Sequence, residues 1–322
     1  MTQLRISGGI VYDPANGVDG IVRDICIDGG TIVDSVSPAA TVVDASGMIV
    51  IPGGVDIHSH VAGSSVNLAR RLLPEEHLAE PVAAPELVDG LARSGAGGTV
   101  PTTFTTGYRY AGLGYTTVFD AAVAPVAART SHAEFDATPI VDGGFFVLLG
   151  NDEYLLRLID AGEQQQARDY AAWIIGAAGG YAIKVVNPGG VELWKRGARE
   201  RTDLDTPIGS SRVTPRAILE TLVDAGNALG LPHAAHIHCN NLGTAGNVTT
   251  TLASMRAVEG RRAHFTHLQF HSYGTANGGG WSSGARELIE YVNTNSHVTG
   301  DVGQVMDNGN TKKAAISSNI AR

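Results

Sequence analysis

Residues 53–63 read GGVDIHSHVAG and follow directly on an apolar run, MIVIP, at 48–52. Two histidines one residue apart are an uncommon ending for an aliphatic strand. On an extended chain His58 and His60 project to the same side, because side chains alternate with a period of two. At the C-terminal end of a barrel strand that side is the cavity where (β/α) barrels carry their chemistry. Two neutral imidazoles on one face supply part of a Zn²⁺ site, which needs at least one more ligand. Paired histidines also occur in cores and on surfaces, so the rest of the chain has to decide.

Working outward, runs of the same kind recur. They are YTTVFDA at 115–121, FFVLL at 145–149, YAIKVV at 181–186, HIHC at 236–239, AHFTHLQF at 263–270 and HVTGDVG at 297–303. Helical patterns lie between several of them: a long one over 153–178, and others over 250–259 and 285–293. The helix opening at Thr214-Pro215 has an N-cap residue, a proline at its first position and Gly230 at its end. Buried strands alternating with helices predict parallel pairing and a TIM-like (β/α) barrel. There are seven strand candidates, not eight, so the chain reads as truncated before strand eight. Residues 62–114, rich in Gly, Pro and Thr, are expected to form a large loop after the first strand. Residues 1–47 alternate apolar and polar positions between Gly-Gly, Asn-Gly and Asp-Gly pairs, as a small β-rich module does. The expected organisation is therefore a β-rich module at 1–47 and a barrel at 48–322.

Composition narrows the function classes. With 322 residues at 43% hydrophobic the chain can bury a large core, and no apolar stretch approaches the ~20 residues of a membrane span. A formal charge of −9 without basic runs argues against nucleic acid as a partner. The two cysteines, Cys26 and Cys239, are far apart; a disulfide framework is not expected and a cytoplasmic setting is. Two cysteines are also too few for an iron–sulfur cluster.

The remaining candidates come from the strand ends. His238 and His267 sit late in their runs. Lys184 stands among Ile183, Val185 and Val186, where an unpaired charge is costly. Such a lysine either reaches out to solvent, pairs with a carboxylate, or carries CO₂ as an anionic carbamate, a reaction favoured by a burial-lowered amine pKa. His236 shares the face of His238 and reads as a residue behind the ligands. His264, three from His267, is expected on the opposite face, outside the barrel. His77, His132 and His233 fall in loops, and Cys239 reads as core. Asp301 belongs to the seventh run and is not taken as a ligand. TANGGG at 275–280 lacks the strand–turn–helix setting of a phosphate loop.

The order of a V-D-I-H-S-H strand end, a strand lysine and two later strand-end histidines resembles the amidohydrolase superfamily. That resemblance implies two Zn²⁺ ions held by His58, His60, Lys184, His238 and His267, with a carboxylated Lys184 as the bridge. IHCNN resembles the V-H-A-E-N element of cyclic amidohydrolases, which favours His238 over His236. Longer strings, GGVDIHSHVAGSSVNLARRLLPEEH, TTFTTGYRYAGLGYTTVFDAAVAP, YAIKVVNPGGVELWKRG, HIHCNNLGTAGNVTTTL and HFTHLQFHSYG, are similar to the A-type subunits of formylmethanofuran dehydrogenases and to the alpha subunits of bacterial formyltransferase/hydrolase complexes. The implied reaction interconverts N-formylmethanofuran, or formylmethylofuran, with formate and the free amine inside a multi-subunit complex. Asn240, Asn241, Gln269, His271 and Tyr273, following ligand strands, are expected to meet the substrate. Arg70, Arg71, Lys195 and Arg196 would meet an anionic tail or simply be solvated. The superfamily's aspartate from strand eight, a ligand and general base, has no counterpart before Arg322. The competing readings are a cyclic-amide hydrolase of the dihydropyrimidinase or dihydroorotase kind, and a non-catalytic scaffold subunit.

Overall fold

The computed structural model describes residues 3–63, 103–190, 202–276 and 280–303, with residues 66, 68, 87–88 and 91–92. The expectations at Arg70, Arg71, His77, Lys195 and Arg196 lie outside the described residues.

The chain divides into two compact units, Met1–Gly54 and Val55–Arg322. In the first, β1 (Leu4–Asp13) is central. It pairs antiparallel with β2 (Val18–Asp28) and parallel with β4 (Thr41–Asp44) and β5 (Ile49–Val50), while β3 (Thr31–Val33) continues the sheet beyond β2. The β2–β3 turn places Gly29 and Gly30 at φ 59 and 82, the left-handed pair that a tight hairpin needs and glycine supplies without strain. The apolar run at 48–60 is not one strand. It breaks at Pro52, which has no N–H for a ladder, so Ile49–Val50 belongs to this small sheet.

The second unit is built on a seven-stranded parallel sheet. Its strands are β6 (Gly54–Ser59), β9 (Tyr115–Val123), β10 (Asp142–Leu148), β11 (Ala182–Val186), β12 (Ala235–His238), β13 (Ala263–Phe265) and β16 (Val298–Gly300), in that spatial order. All seven strand candidates of the sequence take part. The sheet is curled as in a TIM-like barrel, and no eighth strand pairs with it among the described residues. Two short antiparallel ladders accompany it, β7 (Leu87–Val88) on β8 (Leu91–Ala92) and β14 (Tyr273–Thr275) on β15 (Trp281–Ser283).

Helices cover the outer face. The one at Pro215–Ala228 starts where the sequence predicts, with the Thr214 hydroxyl accepting the Ala217 N–H. It buries Ile218, Leu219, Leu222 and Val223, a stripe at helical spacing that packs on the sheet. The predicted helix at 153–178 is two helices, Glu153–Asp160 and Gln164–Ala178, because Gly162 turns at φ 78 between them. Ile183, Val185, Ile237 and Phe265 join the core between sheet and helices. Alternation then sends Lys184, His236 and His264 to the inside. Among the described residues no helix is long and apolar enough to cross a membrane.

Candidate metal centre

Strand register decides which side chains meet. Lys184 pairs with His236, His236 with His264, and His264 with Thr299, so one interior layer runs from a lysine through two imidazoles to a threonine. Barrel interiors are ordinarily filled with branched aliphatics, and this layer is polar instead. The expectation that His264 lies outside the barrel is corrected here. It lies inside because β13 ends at Phe265 and His267 turns into the left-handed region at φ 39, so counting by two from His267 fails. His264 reaches Thr299 Oγ1 through Nδ1 and Asp301 Oδ2 through Nε2, each at 2.9 Å.

Above this layer the imidazoles form two groups. In one, His58, His236 and Asp301 bring their ligand atoms within 4.8 Å of one another. His58 Nδ1 is 3.0 Å from His236 Nε2 and 3.9 Å from Asp301 Oδ2, and also contacts the Thr266 hydroxyl. In the other, His238, His267 and His271 satisfy the same limit. There His267 Nε2 is 3.0 Å from His238 Nδ1. His60 stands beside the first group, its ring 5.6 Å from that of His58 and its Nδ1 3.7 Å from Asp120 Oδ1. Asp120 is 1% exposed and accepts the N–H groups of Val61, Ala62 and Ala122, fixing the chain that leaves His60.

Electrostatics favour lone pairs over protons. Burial, reinforced by Lys184, holds His58 and His236 far below the usual imidazole range. Burial with the neighbouring rings does the same for His238 and His271, and His267 is brought down to about 4. Burial also lowers the Lys184 amine to about 7, against the pull of Asp301 and Asp120. Burial would raise Asp301, but hydrogen bonds from His264 and the His267 amide hold it well below the usual carboxylate range. His58, His236, His238, His267 and His271 are thus neutral imidazoles, set beside one carboxylate and an amine brought down to about 7.

This donor set fits divalent metal. Lys184 Nζ, His236 Nδ1, His267 Nδ1 and both ring nitrogens of His271 are buried without a hydrogen-bond partner. Buried polar atoms are ordinarily paired, and imidazole suits zinc.

Of the residues expected as ligands, the His58 ring lies 5.6 Å from that of His60 and 5.2 Å from that of His267, which lies 4.5 Å from that of His238; Lys184 is on the same interior face as His236. Beside them stand His236 and Asp301, which the sequence reading does not take as ligands, and His271, which it takes as a substrate contact. His236 shares parity with His238, and Asp301 follows an apolar strand as His60 does. The expected substrate contacts divide. Asn241 sits at φ 64 with its amide bonded to Thr202 and Thr250, so it clamps a loop. Asn240 donates to the Pro188 carbonyl and keeps Oδ1 unpartnered. Gln269 accepts the Gly303 N–H, and the Tyr273 ring packs edge-on to Trp281. Cys239 is buried beside Ser254, its thiol pushed up to about 12 by burial, as a core residue.

A curled parallel sheet carrying strand-end histidines and an interior lysine defines a class, and the chain belongs to the amidohydrolase family, whose model matches residues 41–318. Within it, the chain is 45% identical over 311 residues to Protein FwdA of Methanocaldococcus jannaschii, covering 93% of this chain and 54% of that protein. It is 37% identical to the A-type subunit of the formyltransferase/hydrolase complex Fhc of Methylorubrum extorquens, over 94% of this chain and 55% of that protein. The crystal structure of that organism's FhcABCD complex with methylofuran superposes with a TM-score of 0.82 at 36% identity, covering 95% of this chain and 55% of that one. The chain thus spans about half the length of the curated relatives it matches.

Proposed function

We propose that this chain carries the metal centre of an amidohydrolase that interconverts N-formylmethanofuran or formylmethylofuran with formate and the free amine, as the A-type member of a multi-subunit complex. The observation that carries this reading is the likeness, over 95% of the chain, to part of a complex solved with methylofuran. A formamide is a weak electrophile, and two bound zinc ions would polarise its carbonyl and lower the pKa of water toward ~7.

The residues divide the remaining work. His58, His60, His238 and His267 hold metal through ring lone pairs, which depressed pKa values keep free at His58, His238 and His267. Lys184, brought down to about 7, is neutral often enough to take up CO₂, losing one proton to solvent and forming a carbamate that offsets metal charge. Asp301 stays ionised throughout the neutral range, so it is a poor proton carrier; it adds negative charge and fixes His267 and His264. Asn240, with Oδ1 unpartnered, and Gln269 and Tyr273 contact the formyl group or its furan tail.

The test is formate release from N-formylmethylofuran by the complete protein with its partner subunits. About two zinc ions per chain and a loss of more than ~10³-fold with His58→Ala are expected, as for a group acting in the transition state. Zinc below one per chain, or an unchanged rate in that variant, would overturn the reading.

A further inference from the structure

His271 is fully buried, and neither ring nitrogen has a hydrogen-bond partner. Its backbone, in contrast, is firmly held. The turn Leu268–Phe270 brings it back beneath His267, with the His271 N–H on the Leu268 carbonyl at 3.0 Å. The Thr251 hydroxyl donates to the His271 carbonyl, and Asn247 donates to that of Phe270. The fold therefore fixes where the ring goes and leaves both nitrogens unused. The ring is nearly parallel to that of His267 at 5.0 Å and edge-on to that of His238 at 5.2 Å. One ligand atom from each of the three lies within 4.8 Å of the others.

A purely structural core position would be better filled by leucine, since an unpaired buried polar group costs free energy. A ligand role accounts for burial, orphaned nitrogens and neighbours together. We propose that His271 is a third imidazole ligand to a metal ion held by His238 and His267, making one metal position a three-histidine site. This rests on the metal-binding reading above. The three imidazoles are neutral donors, so at this position only the carbamate on Lys184 would offset the cation's charge.

The experiment compares the full protein with His271→Leu and His271→Gln, by metal analysis, zinc X-ray absorption and thermal melting with and without chelator. A ligand role predicts loss of one imidazole from the zinc shell and weaker zinc retention by more than ~100-fold, beyond the ~10–100-fold typical of a merely hydrogen-bonding neighbour. It also predicts a sign reversal: chelator-treated His271→Leu melts above chelator-treated wild type, while the zinc-loaded variant melts below its wild-type counterpart. An unchanged imidazole count, or equal destabilisation with and without zinc, overturns the assignment of His271 alone. Wild-type protein that holds no zinc overturns the metal-binding reading itself.

Discussion

Asp301 Oδ1 accepts the backbone N–H of His267 at 2.6 Å, joining the end of one strand to a residue at φ 39 on its neighbour. A non-glycine residue in that conformation costs ~1–3 kcal/mol. A hydrogen bond to a charged acceptor contributes ~1.5–3 kcal/mol. The two are of one size, so the carboxylate decides whether His267 is aimed at His238.

Replacing Asp301 by alanine is accordingly expected to destabilise the chain by about 3 kcal/mol in urea unfolding, since His267 N–H and His264 lose their acceptor. Asp301→Asn keeps one acceptor oxygen and should recover about half. An alanine variant as stable as wild type would show that His267 is held by other means.

Asp120 predicts a second loss. It is buried and accepts three backbone N–H groups beside His60. Asp120→Ala should cost at least ~3 kcal/mol, and the Ala62 amide should exchange with solvent faster. Zinc affinity should fall as well, because the chain following His60 loses its anchor.

Acid and alkaline behaviour of the chelator-treated protein follow from two shifts of one sign. His267, at about 4 when folded, takes its proton more readily when unfolded, where imidazole titrates near ~6.5. The unfolded state therefore binds more protons between these values, and stability falls as pH drops from about 6.5 to 4. Lys184, at about 7 when folded, titrates near ~10.4 when unfolded. Stability should then rise again from about pH 7 to pH 10, and Lys184→Met should flatten that rise. Denaturant midpoints across pH read both windows; a flat profile above pH 7 would contradict the buried amine.

Gly107 faces the backbone of Pro139, and a Cβ there would overlap the Pro139 carbonyl oxygen. Alanine is the better helix former by ~1 kcal/mol, but overpacking against backbone costs ~1–3 kcal/mol. Gly107→Ala should therefore lower the melting temperature despite its helical setting.

The strands are legible in the sequence because buried parallel strands are continuous apolar runs, which is why 181–186 and 236–239 stand out. His58, Lys184 and His238 are legible because polar residues in such runs demand a purpose. Breaks within a run are harder to see. Pro52 divides 48–60 between two sheets, and Gly162 divides one helical pattern into two. His264 is misplaced because parity counting assumes an unbroken strand, and the turn at His267 ends it. Asp301 escapes because a carboxylate after a strand looks the same in sequence whether it faces solvent or an imidazole.

His58 and Asp301 lie far apart in the sequence, yet His58 Nδ1 stands 3.9 Å from Asp301 Oδ2. Among the described residues, β6 and β16 are the end strands of the seven-stranded sheet. An ion held by both side chains would tie those two strands together, so metal binding and the order of both strands should be coupled. Amides of Gly54–Ser59 and Val298–Gly300 should exchange quickly in the metal-free chain and slow together when zinc is added, while those of Ala182–Val186, paired on both sides, should barely respond.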